Sequence, residues 1–461
     1  MNSWSVAEML ASLRSGRATS RQLVEIAVDR ARQCAIDLNA FAAISDTATA
    51  SAVASDQKYR EGTARKLEGI PVAVKDIIDT MGIETRYGSP AYVGHIPECD
   101  ATVVRRLREA GAIVVGKTTT HEFAWGVTTS SPKFGDTLNP VDPARIPGGS
   151  SGGAAAAVAY GAVPACLGTD TGGSVRIPSA LCGVIGLKPT YGALPTDGVF
   201  PLAPTLDHIG MVCRKAEDLP ILVGALGMKI SRGQERIRRK IGLLKSPGDV
   251  PIDDEIAREF ERTGEELSRD HAVIEVDVQL DEAYSIFATL VLAEGGLVHF
   301  SRNSLSFIND HYGKDTIARL ERARAVRLGD FANAQEARRL FTSKLDSLFG
   351  EIELLVLPTC PCPAPPIGEN SVRIGDWRGD IRHALMAYTA PFNLTGHPVA
   401  TVPMRRRDGL LPAGLQIVGH RGHDNEVIEA AIEIERRNAD SSNLKEDKDE
   451  RDGTKNKPDP V

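Results

Sequence analysis

The sequence predicts an α/β fold, and the clearest sign is an order of strand, helix and strand in its first third. Residues 67–79 contain a short apolar run that ends in charged residues, as a buried strand does. Residues 101–110 have the pattern of a helix, and residues 112–116 form a second apolar run. Two strands with a helix between them favour parallel pairing in one sheet. Later apolar runs predict further strands at residues 354–358, 399–403 and 414–419.

The composition is that of an ordinary globular protein. The chain has 461 residues, of which 42% are hydrophobic and 25% are charged, and this balance excludes a wholly disordered chain or a coiled coil. The formal net charge is −7. Because a mildly acidic chain shows no electrostatic footprint for nucleic acid, we predict no nucleic-acid partner.

The cysteines and the apolar runs of the sequence indicate the cell compartment of the protein and whether it binds a metal or a membrane. The seven cysteines are widely scattered, as expected of reduced thiols in a cytoplasmic protein. Cys360 and Cys362 are too close together for a zinc knuckle and have no second pair, so we predict no metal site. The N-terminus lacks the pattern of a signal peptide, and the longest apolar stretch, residues 154–168, is too short to cross a bilayer. We therefore predict no membrane association.

Two helices are predicted at the N-terminus, before the first strand. Ser5 with Glu8, and Thr19 with Gln22, have the spacing of capping boxes. Each pair precedes apolar residues at helical spacing, so each helix has one apolar face. We expect both helices to pack on the outside of a larger body.

Residues 146–213 differ sharply in composition from the rest of the chain. Only five of these 68 residues are charged, against 25% for the whole chain, so the segment must be largely buried. It is also rich in glycine, which allows the main chain to approach its surroundings closely. A buried, glycine-rich segment indicates a site that is built from main-chain groups.

The remaining segments define the predicted domain. Residues 214–350 return to a charged, helical pattern and are predicted to be a peripheral region that shapes a pocket. Residues 426–436 predict the last helix, and residues 438–461 carry twelve charges and are predicted to be disordered. We predict a single domain over residues 1–437, with a charge-poor catalytic core at about residues 67–213.

Two glycine-flanked serines lie in the charge-poor core. Ser150 belongs to the run Pro-Gly-Gly-Ser-Ser-Gly-Gly, and Ser174 to the run Gly-Thr-Asp-Thr-Gly-Gly-Ser-Val-Arg-Ile-Pro. A flexible loop is one interpretation, and a phosphate cradle is a second, but no Lys-Ser or Lys-Thr pair follows the glycines. Acyl transfer gives a stronger reason, because a serine beside a base can attack a carbonyl carbon and main-chain NH groups can stabilise the resulting oxyanion.

Lys75 is the candidate base for such a serine. It ends an apolar strand, and burial lowers the pKa of an ammonium group from its reference of about 10.4. A neutral lysine can accept a proton. Two alternatives stay open at this point. One of the ten histidines could be the base, although none lies in a Gly-x-Ser-x-Gly context, or Lys75 could pair with Asp76 or Asp79 in a structural role.

Taken together, these segments resemble the amidase signature family. The resemblance covers Lys75, both serine runs and the run at residues 182–190, and it extends from about residue 5 to about residue 435. Three later segments also match, at residues 393–396, 401–403 and 414–419. The family implies a single large, mixed, mostly parallel twisted β-sheet that is covered by helices on both faces. It also implies a Ser–cis-Ser–Lys triad that requires no metal or organic cofactor.

The resemblance implies a role for each residue of the motifs. Ser174 is expected to be the nucleophile, and Lys75 the base that draws a proton through Ser150. The peptide bond between Gly149 and Ser150 is expected to be cis. The oxyanion hole is expected to consist of main-chain NH groups of the turn, those of Thr171, Gly172, Gly173 and Ser174.

Other residues are expected to support or border the site. Asp170 and Arg176 flank the nucleophile turn and are expected to fix its shape, and Ser151 is expected to add a hydrogen bond to the relay. The segment with Trp125 and Thr128 resembles the family segment at the edge of the substrate pocket. These two residues are therefore candidate pocket residues, with core packing as the alternative for Trp125.

The resemblance implies an enzyme that hydrolyses the C–N bond of a linear amide, or of a related carbamate or urea. The predicted partner is a small-molecule, amide-type substrate, and a homodimer is a family-level expectation. The alternative function is the glutaminase subunit of a tRNA-dependent amidotransferase, but residues 385–389 lack the acid expected to bind the glutamine amino group. A non-catalytic binding protein is disfavoured because no triad residue is missing, and ester hydrolysis or transacylation at the same serine stays open.

Overall fold

A central β-sheet organises the described part of the chain, which comprises residues 4–230, 238–405 and 409–453 of the computed structural model, with side chains described up to residue 438. The strands, in chain order, are β1 (Phe41–Ile44), β2 (Pro71–Lys75), β3 (Ile113–Thr118), β4 (Ser130–Ser131), β5 (Gly135–Asp136), β6 (Ala165–Asp170), β7 (Ile185–Lys188), β8 (His208–Cys213), β9 (Lys240–Leu243), β10 (Ala272–Glu275), β11 (Leu354–Pro358), β12 (Ser371–Ile374), β13 (Trp377–Asp380), β14 (Val399–Pro403) and β15 (Gly414–Gly419).

Helices fill the connections between these strands and cover the sheet. In chain order they are α1 (Val6–Arg14), α2 (Ser20–Leu38), α3 (Ala48–Arg60), α4 (Thr102–Glu109), α5 (Gly152–Tyr160), α6 (Arg176–Cys182), α7 (Leu219–Ala225), α8 (Asp254–Ser268), α9 (Asp281–Arg302), α10 (Leu305–His311), α11 (Lys314–Arg324), α12 (Leu328–Leu348), α13 (Ile381–Met386), α14 (Pro391–Leu394) and α15 (Asp424–Gly453).

The central sheet is mixed, as predicted. Within the described residues it has eleven strands, in the order β1-β3-β2-β6-β8-β7-β14-β15-β11-β9-β10, while β4–β5 and β12–β13 form separate small pairs. The predicted strand, helix and strand of the first third are β2, α4 and β3, and the two strands pair in parallel. Four of the ten neighbouring pairs in the sheet are parallel and six are antiparallel, so parallel pairing is less dominant than the resemblance implied.

The two faces of the sheet carry two separate hydrophobic cores. On β2, Val72 and Val74 belong to one core and Ala73 to the other, because successive side chains of a strand point to opposite faces. The core on the face of Val72 includes apolar residues of α4, and the core on the face of Ala73 includes those of α2 and α5. The prediction of helices on both faces is thus confirmed.

Local signals in the sequence place the first helices correctly. Both capping boxes form: the side chain of Ser5 accepts from the NH of Glu8, that of Thr19 accepts from the NH of Gln22, and both reciprocal bonds are present.

The charge-poor segment forms α5, β6, α6, β7 and β8, whose residues are almost all buried. Elements with few charged residues therefore occupy the centre of the sheet and its immediate cover.

The region of residues 214–350 consists mainly of helices, but it also supplies two strands. Helices α7 to α12 lie in it, and β9 and β10 extend the sheet at the edge beyond β11. The sequence did not predict these two strands, because each has only four residues and the pattern around it is dominated by charged helices. The predicted peripheral region is therefore partly continuous with the central sheet.

Two predictions concern the ends and the surroundings of the domain. Helix α15 continues as far as Gly453, and residues 454–461 lie outside the described residues, so the disorder expected at residues 438–461 stays a prediction.

Among the described helices, only α9 has the length and apolar composition of a membrane span, and 56% of its apolar window is buried inside the protein. A buried core helix passes the same test, so this is weak evidence for a membrane.

Candidate active site

Lys75 lies at the end of β2 and is completely buried. Its Nζ atom is 2.7 Å from the Ser150 hydroxyl and 2.8 Å from the Thr169 hydroxyl. Within the described residues it forms no ion pair. The neighbouring Asp76 instead accepts hydrogen bonds from the main-chain NH groups of Arg86 and Gly88. The structural alternative, in which Lys75 pairs with Asp76 or Asp79, is therefore not observed.

Burial sets the charge state of this lysine. Burial lowers the pKa of Lys75, the carboxylates of Asp170 and Asp207 raise it again, and the resulting pKa is about 7 instead of 10.5. A substantial fraction of Lys75 is therefore a neutral amine near neutral pH, with a lone pair that can accept a proton.

The loop that carries Ser150 is fixed by its neighbours. The peptide bond between Gly149 and Ser150 is cis, as the resemblance implied. The Thr129 hydroxyl donates to the carbonyl oxygen of Gly148 at 2.8 Å and accepts from the NH of Gly152 at 3.1 Å. A Cβ atom at Gly149 would lie 2.9 Å from the main-chain nitrogen of Thr128, so only glycine fits at this point. Residues 127–129 thus hold the Ser150 loop from one side.

Ser174 sits beside this loop with a free hydroxyl. The residue is 8% exposed, and its hydroxyl makes no hydrogen bond to any other described residue. Its carbonyl oxygen accepts from the main-chain NH of Ser151 at 3.0 Å. The Ser151 hydroxyl donates to the carbonyl oxygen of Thr169 at 3.2 Å, so it joins the loop to β6 rather than bonding to the relay itself. Main-chain bonds therefore bring the two serine segments together.

The turn before Ser174 contains the predicted oxyanion donors. Those of Thr171, Gly172 and Ser174 have no hydrogen-bond partner within the described chain, whereas the NH of Gly173 donates to Asp170 at 2.9 Å. Neither glycine of the turn leaves room for a side chain, because a Cβ atom at Gly172 would clash with the ring of Phe287 and one at Gly173 would clash with Thr389. Three of the four predicted oxyanion donors thus have no competing acceptor within the described chain, whereas the NH of Gly173 has one, and the oxyanion hole stays a prediction.

A buried ion pair supports the turn from behind. The Arg176 guanidinium donates to both carboxylate oxygens of Asp170, at 2.9 and 3.0 Å, and both side chains are fully buried. Arg176 also donates to Gln416, Asn393 and the carbonyl oxygen of Thr389. Burial raises the pKa of Asp170, but the charge and hydrogen bonds of Arg176 outweigh this effect, so the pKa lies below its usual range. Asp170 also accepts from the main-chain NH groups of Gly173 and Val175, and the role of the ion pair in fixing the shape of the turn stays a prediction.

Removal of the Asp170 carboxylate is expected to destabilise the whole protein. The substitution Asp170→Ala leaves the Arg176 charge buried without its partner, and such a loss costs about 3–5 kcal/mol. Urea denaturation at neutral pH, followed by circular dichroism, measures the change. The control is Asp197→Ala, an exposed carboxylate of the same charge-poor segment, which should change stability by less than about 0.5 kcal/mol. Equal stability of the two variants would contradict the structural role of the ion pair.

The two candidate pocket residues lie on the segment that borders the Ser150 loop. Trp125 is 2% exposed, and its ring packs against Gly295 of α9 and stacks on His299 with 5.9 Å between ring centres. The Thr128 hydroxyl is 3.4 Å from Nδ1 of His121. Contact of either residue with a substrate stays a prediction, because Trp125 also has the packing role that the sequence left open.

Three supporting threonines were missed from the sequence. Thr169 contacts Lys75, Thr129 holds the Ser150 loop, and Thr389 donates to the carbonyl oxygen of Gly172 at 2.6 Å. A threonine within an apolar, completely buried strand, such as Thr169, is a signal that could have been used, because a buried hydroxyl needs a partner. The other two are brought in by the fold from distant parts of the chain.

Comparisons with known proteins find similarity over most of the chain. The family model described as Amidase matches residues 22–428. A glutamyl-tRNA(Gln) amidotransferase subunit of Methanococcoides burtonii is 35% identical, over 87% of this chain and 90% of the relative. The corresponding subunit of Thermotoga maritima, as a crystal structure, is 28% identical with a TM-score of 0.76, over 93% of this chain and 94% of that one.

These relatives overturn the prediction about partners. The expectation of a small-molecule substrate alone, with no nucleic acid, is wrong, because the curated relatives are named as subunits of an amidotransferase that acts on glutamyl-tRNA(Gln). The inference failed because net charge is an average over the whole surface. It does not report on a local surface patch, or on RNA that another member of a complex binds. The homodimer stays a prediction.

A second solved structure extends the similarity to a protein described simply as an amidase. This crystal structure is 34% identical, with a TM-score of 0.87, over 94% of this chain and all of that one. The match of the family model spans both serine segments, Lys75 and the network of Arg176. The chain therefore belongs to the Amidase family, whose members carry the amidase signature.

Proposed function

We propose that the protein hydrolyses an amide C–N bond through an acyl-enzyme on Ser174, with Ser150 and Lys75 as a proton relay. The observation that carries this proposal is the contact of 2.7 Å between the buried Lys75 amine and the Ser150 hydroxyl. Because burial lowers the pKa of Lys75 to about 7, the amine can accept the Ser150 proton near neutral pH. Ser150 in turn accepts the proton of Ser174 as its oxygen attacks the carbonyl carbon.

The turn before Ser174 supplies electrostatic stabilisation in this mechanism. Negative charge develops on the substrate oxygen during attack, and the NH groups of Thr171, Gly172 and Ser174 lack partners within the described chain that would compete for it. Preorganised donors of this kind contribute about 10²–10³ in rate each. The tetrahedral intermediate collapses when the C–N bond breaks, and the leaving nitrogen takes the proton from the relay. Water then attacks the acyl-enzyme by the same route and releases the acid.

Two substrates fit this chemistry, and a different observation favours each. The names of the relatives favour glutamine, as the ammonia source of an amidotransferase in which this chain is one of the subunits. The composition of the site favours another linear amide, carbamate or urea. Met386 lies next to the nucleophile turn, 3.2 Å from where a Cβ atom at Gly172 would be, in the segment where an acid was expected for the glutamine amino group.

Measurement of ammonia or amine release distinguishes the two substrates. The purified chain is assayed with glutamine and with a panel of aliphatic amides, aryl amides, carbamates and ureas. Glutamine is then assayed again with the other amidotransferase subunits and glutamyl-tRNA(Gln) present. Glutamine hydrolysis that rises in the complex supports the first function, and hydrolysis of another amide by the chain alone supports the second. Absence of hydrolysis in every arm would contradict the proposed amide hydrolysis itself.

A further inference from the structure

Asp207 contacts the nucleophile turn from the neighbouring strand of the sheet. It directly precedes β8, which pairs with β6 so that His208 lies opposite Asp170. The hydroxyl of Thr171, the next residue along the turn, donates to Oδ1 of Asp207 at 2.7 Å. Asp207 and Thr171 are therefore joined at the point where β6 ends and β8 begins.

Thr171 depends on this contact for its position. Strand β6 ends at Asp170, so its pairing with β8 does not extend to Thr171. The two glycines that follow have anchors of their own, because the NH of Gly173 donates to Asp170 and the Thr389 hydroxyl donates to the carbonyl oxygen of Gly172. Within the described residues, the side chain of Thr171 makes one hydrogen bond, and its acceptor is the Asp207 carboxylate.

The Asp207 carboxylate is itself held in place. Its oxygens accept from the main-chain NH of Leu202 at 2.9 Å and from that of Ala203 at 3.2 Å. Burial raises the pKa of Asp207, these hydrogen bonds and that of Thr171 lower it, and the resulting pKa is about 6. The carboxylate is therefore mostly ionised at neutral pH, and it presents a fixed acceptor to Thr171.

Two helices of the peripheral region anchor the loop that leads to Asp207. On α9, the Glu294 carboxylate accepts from the NH of Thr205 at 2.9 Å and from its hydroxyl at 2.5 Å. On α12, the Arg338 guanidinium donates to the carbonyl oxygen of Thr205 at 2.9 Å and to that of Leu394 at 2.7 Å. The loop is thus bound to both helices just before it reaches Asp207.

The position of Thr171 matters because its NH group is one of the predicted oxyanion donors. This group has no competing acceptor within the described chain. Displacement of a group by about 1 Å can cost about 10²-fold in rate. The charge of Asp207 does not itself favour the oxyanion, since a nearby carboxylate opposes negative charge on the substrate oxygen. A favourable effect of Asp207 on the oxyanion must therefore come from where it holds Thr171.

We propose that Asp207 is a positioning residue of the oxyanion hole, which holds the Thr171 NH toward the substrate oxygen through the Thr171 hydroxyl. This inference rests on the proposed hydrolysis and deepens it, because it connects a residue outside the serine motifs to the transition state. In this role Asp207 acts only through Thr171 and does not contact the substrate. Helices α9 and α12 contribute to the site through the loop before Asp207.

Thr171→Val tests the proposal, because it removes the hydroxyl and keeps the main chain and the shape of the side chain. The readout is the second-order rate of Ser174 labelling by an alkyl fluorophosphonate, whose phosphoryl oxygen gains negative charge as the serine attacks. We expect labelling to be about 10- to 100-fold slower in Thr171→Val. Thr171→Ser restores the hydroxyl and should label within about threefold of the unaltered protein.

Thr196→Val is the matched control. Thr196 is exposed and borders the same small cavity as Thr171, so its labelling rate should stay within about twofold of the unaltered rate. Equal rates in Thr171→Val and the unaltered protein would overturn the positioning role alone. An equal loss in Thr196→Val would assign the effect to repacking and would also overturn it. Absence of labelling in the unaltered protein would contradict the proposed acyl-enzyme, and the positioning role with it.

Turnover distinguishes positioning from a general loosening of the site. With an amide that the hydrolysis panel identifies, Thr171→Val should lower kcat about 10- to 100-fold and keep KM within about threefold, because the oxyanion forms only in the transition state. A raised KM with unchanged kcat would overturn the proposal.

A double-mutant cycle tests whether Asp207 acts through Thr171. Asp207→Ala should lower kcat at least as much as Thr171→Val, measured at about pH 9, where Lys75 is neutral. The double variant should be no slower than Asp207→Ala, since both substitutions remove the same hydrogen bond. Multiplication of the two effects would show that Asp207 acts by another route and would overturn the proposal. If Asp207→Ala does not fold, the comparison of Thr171→Val with Thr171→Ser still decides the role of the bond.

Discussion

Ser174→Ala is expected to lower kcat for every substrate by about 10⁵-fold while leaving the fold intact. The hydroxyl makes no hydrogen bond to another described residue, so its removal breaks no structural contact there. The position of the turn depends on main-chain bonds instead, including the one from the NH of Ser151 to the carbonyl oxygen of Ser174. The variant should therefore still bind substrate but form no acyl-enzyme.

Steady-state assays of amine release, with circular dichroism of the same samples, measure this effect. The matched control is Ser179→Ala on α6, which removes another buried hydroxyl that has no partner within the described residues. The control should keep kcat/KM within about twofold, because loss of one free hydroxyl away from a site seldom changes function. If both variants lost activity equally, the loss would reflect the packing of this segment and not the nucleophile.

Labelling gives a second measure of the same prediction. A fluorophosphonate should modify Ser174 in the unaltered protein and leave Ser174→Ala unmodified, since only an activated serine reacts. A fully active Ser174→Ala variant would exclude the proposed acyl-enzyme. Modification of a different serine in the unaltered protein would move the nucleophile to that residue.

The residues that local sequence can predict are those within short, unusual runs. Ser150 and Ser174 stand out by their glycine neighbours and by the lack of charge around them, and Lys75 stands out as a charged residue at the end of an apolar strand. The structure brings Lys75 next to Thr169 because parallel strands β2 and β6 are neighbours in the sheet. The Ser150 loop is joined to β6 by the Ser151 hydroxyl, and Ser150 contacts Lys75 there. The carboxyl ends of parallel strands lie at the same edge of a sheet, so residues at the ends of different strands can form one site there.

Other parts of the site depend on contacts between distant residues, which no local pattern reveals. Arg176 reaches Gln416 and Asn393, more than two hundred positions away in the chain. Phe287, which lies against Gly172, comes from residues 214–350, where the sequence predicted a region that shapes a pocket but did not identify the residues that do so. The short strands β9 and β10 were missed for a related reason, since a strand at the edge of a sheet is defined by its partner more than by its own sequence.

A lysine base predicts a specific dependence of rate on pH. In the proposed mechanism Lys75 must be neutral to accept a proton, and its pKa of about 7 places the change within the range of ordinary assays. Below that pH the amine is protonated, so kcat/KM should fall about tenfold for each further unit, and above it kcat/KM should level off. A flat profile between about pH 5 and about pH 9, with chemistry limiting, would contradict a lysine base.

Substitutions at Lys75 distinguish its basicity from its charge. Lys75→Met removes the amine from a fully buried position and should lower kcat by about 10⁴-fold or more, as loss of a base in a concerted catalytic group does. Lys75→Arg keeps a positive charge but cannot act as a base, because a guanidinium stays protonated at all accessible pH values. Both variants should be inactive. Activity of Lys75→Arg close to that of the unaltered protein would show that the position needs a cation and not a base.

The neighbouring carboxylates provide the sharpest test of this assignment. Asp207 raises the pKa of Lys75, so Asp207→Asn should lower that pKa and move the acid limb of the kcat/KM profile to lower pH. Burial also raises the pKa of Asp207 itself, to about 6, so its own titration is the competing explanation for the limb. The two explanations predict different results, because a limb that belongs to Asp207 would disappear in Asp207→Asn. A limb that is displaced but keeps its slope would identify Lys75 as the group whose proton controls the reaction.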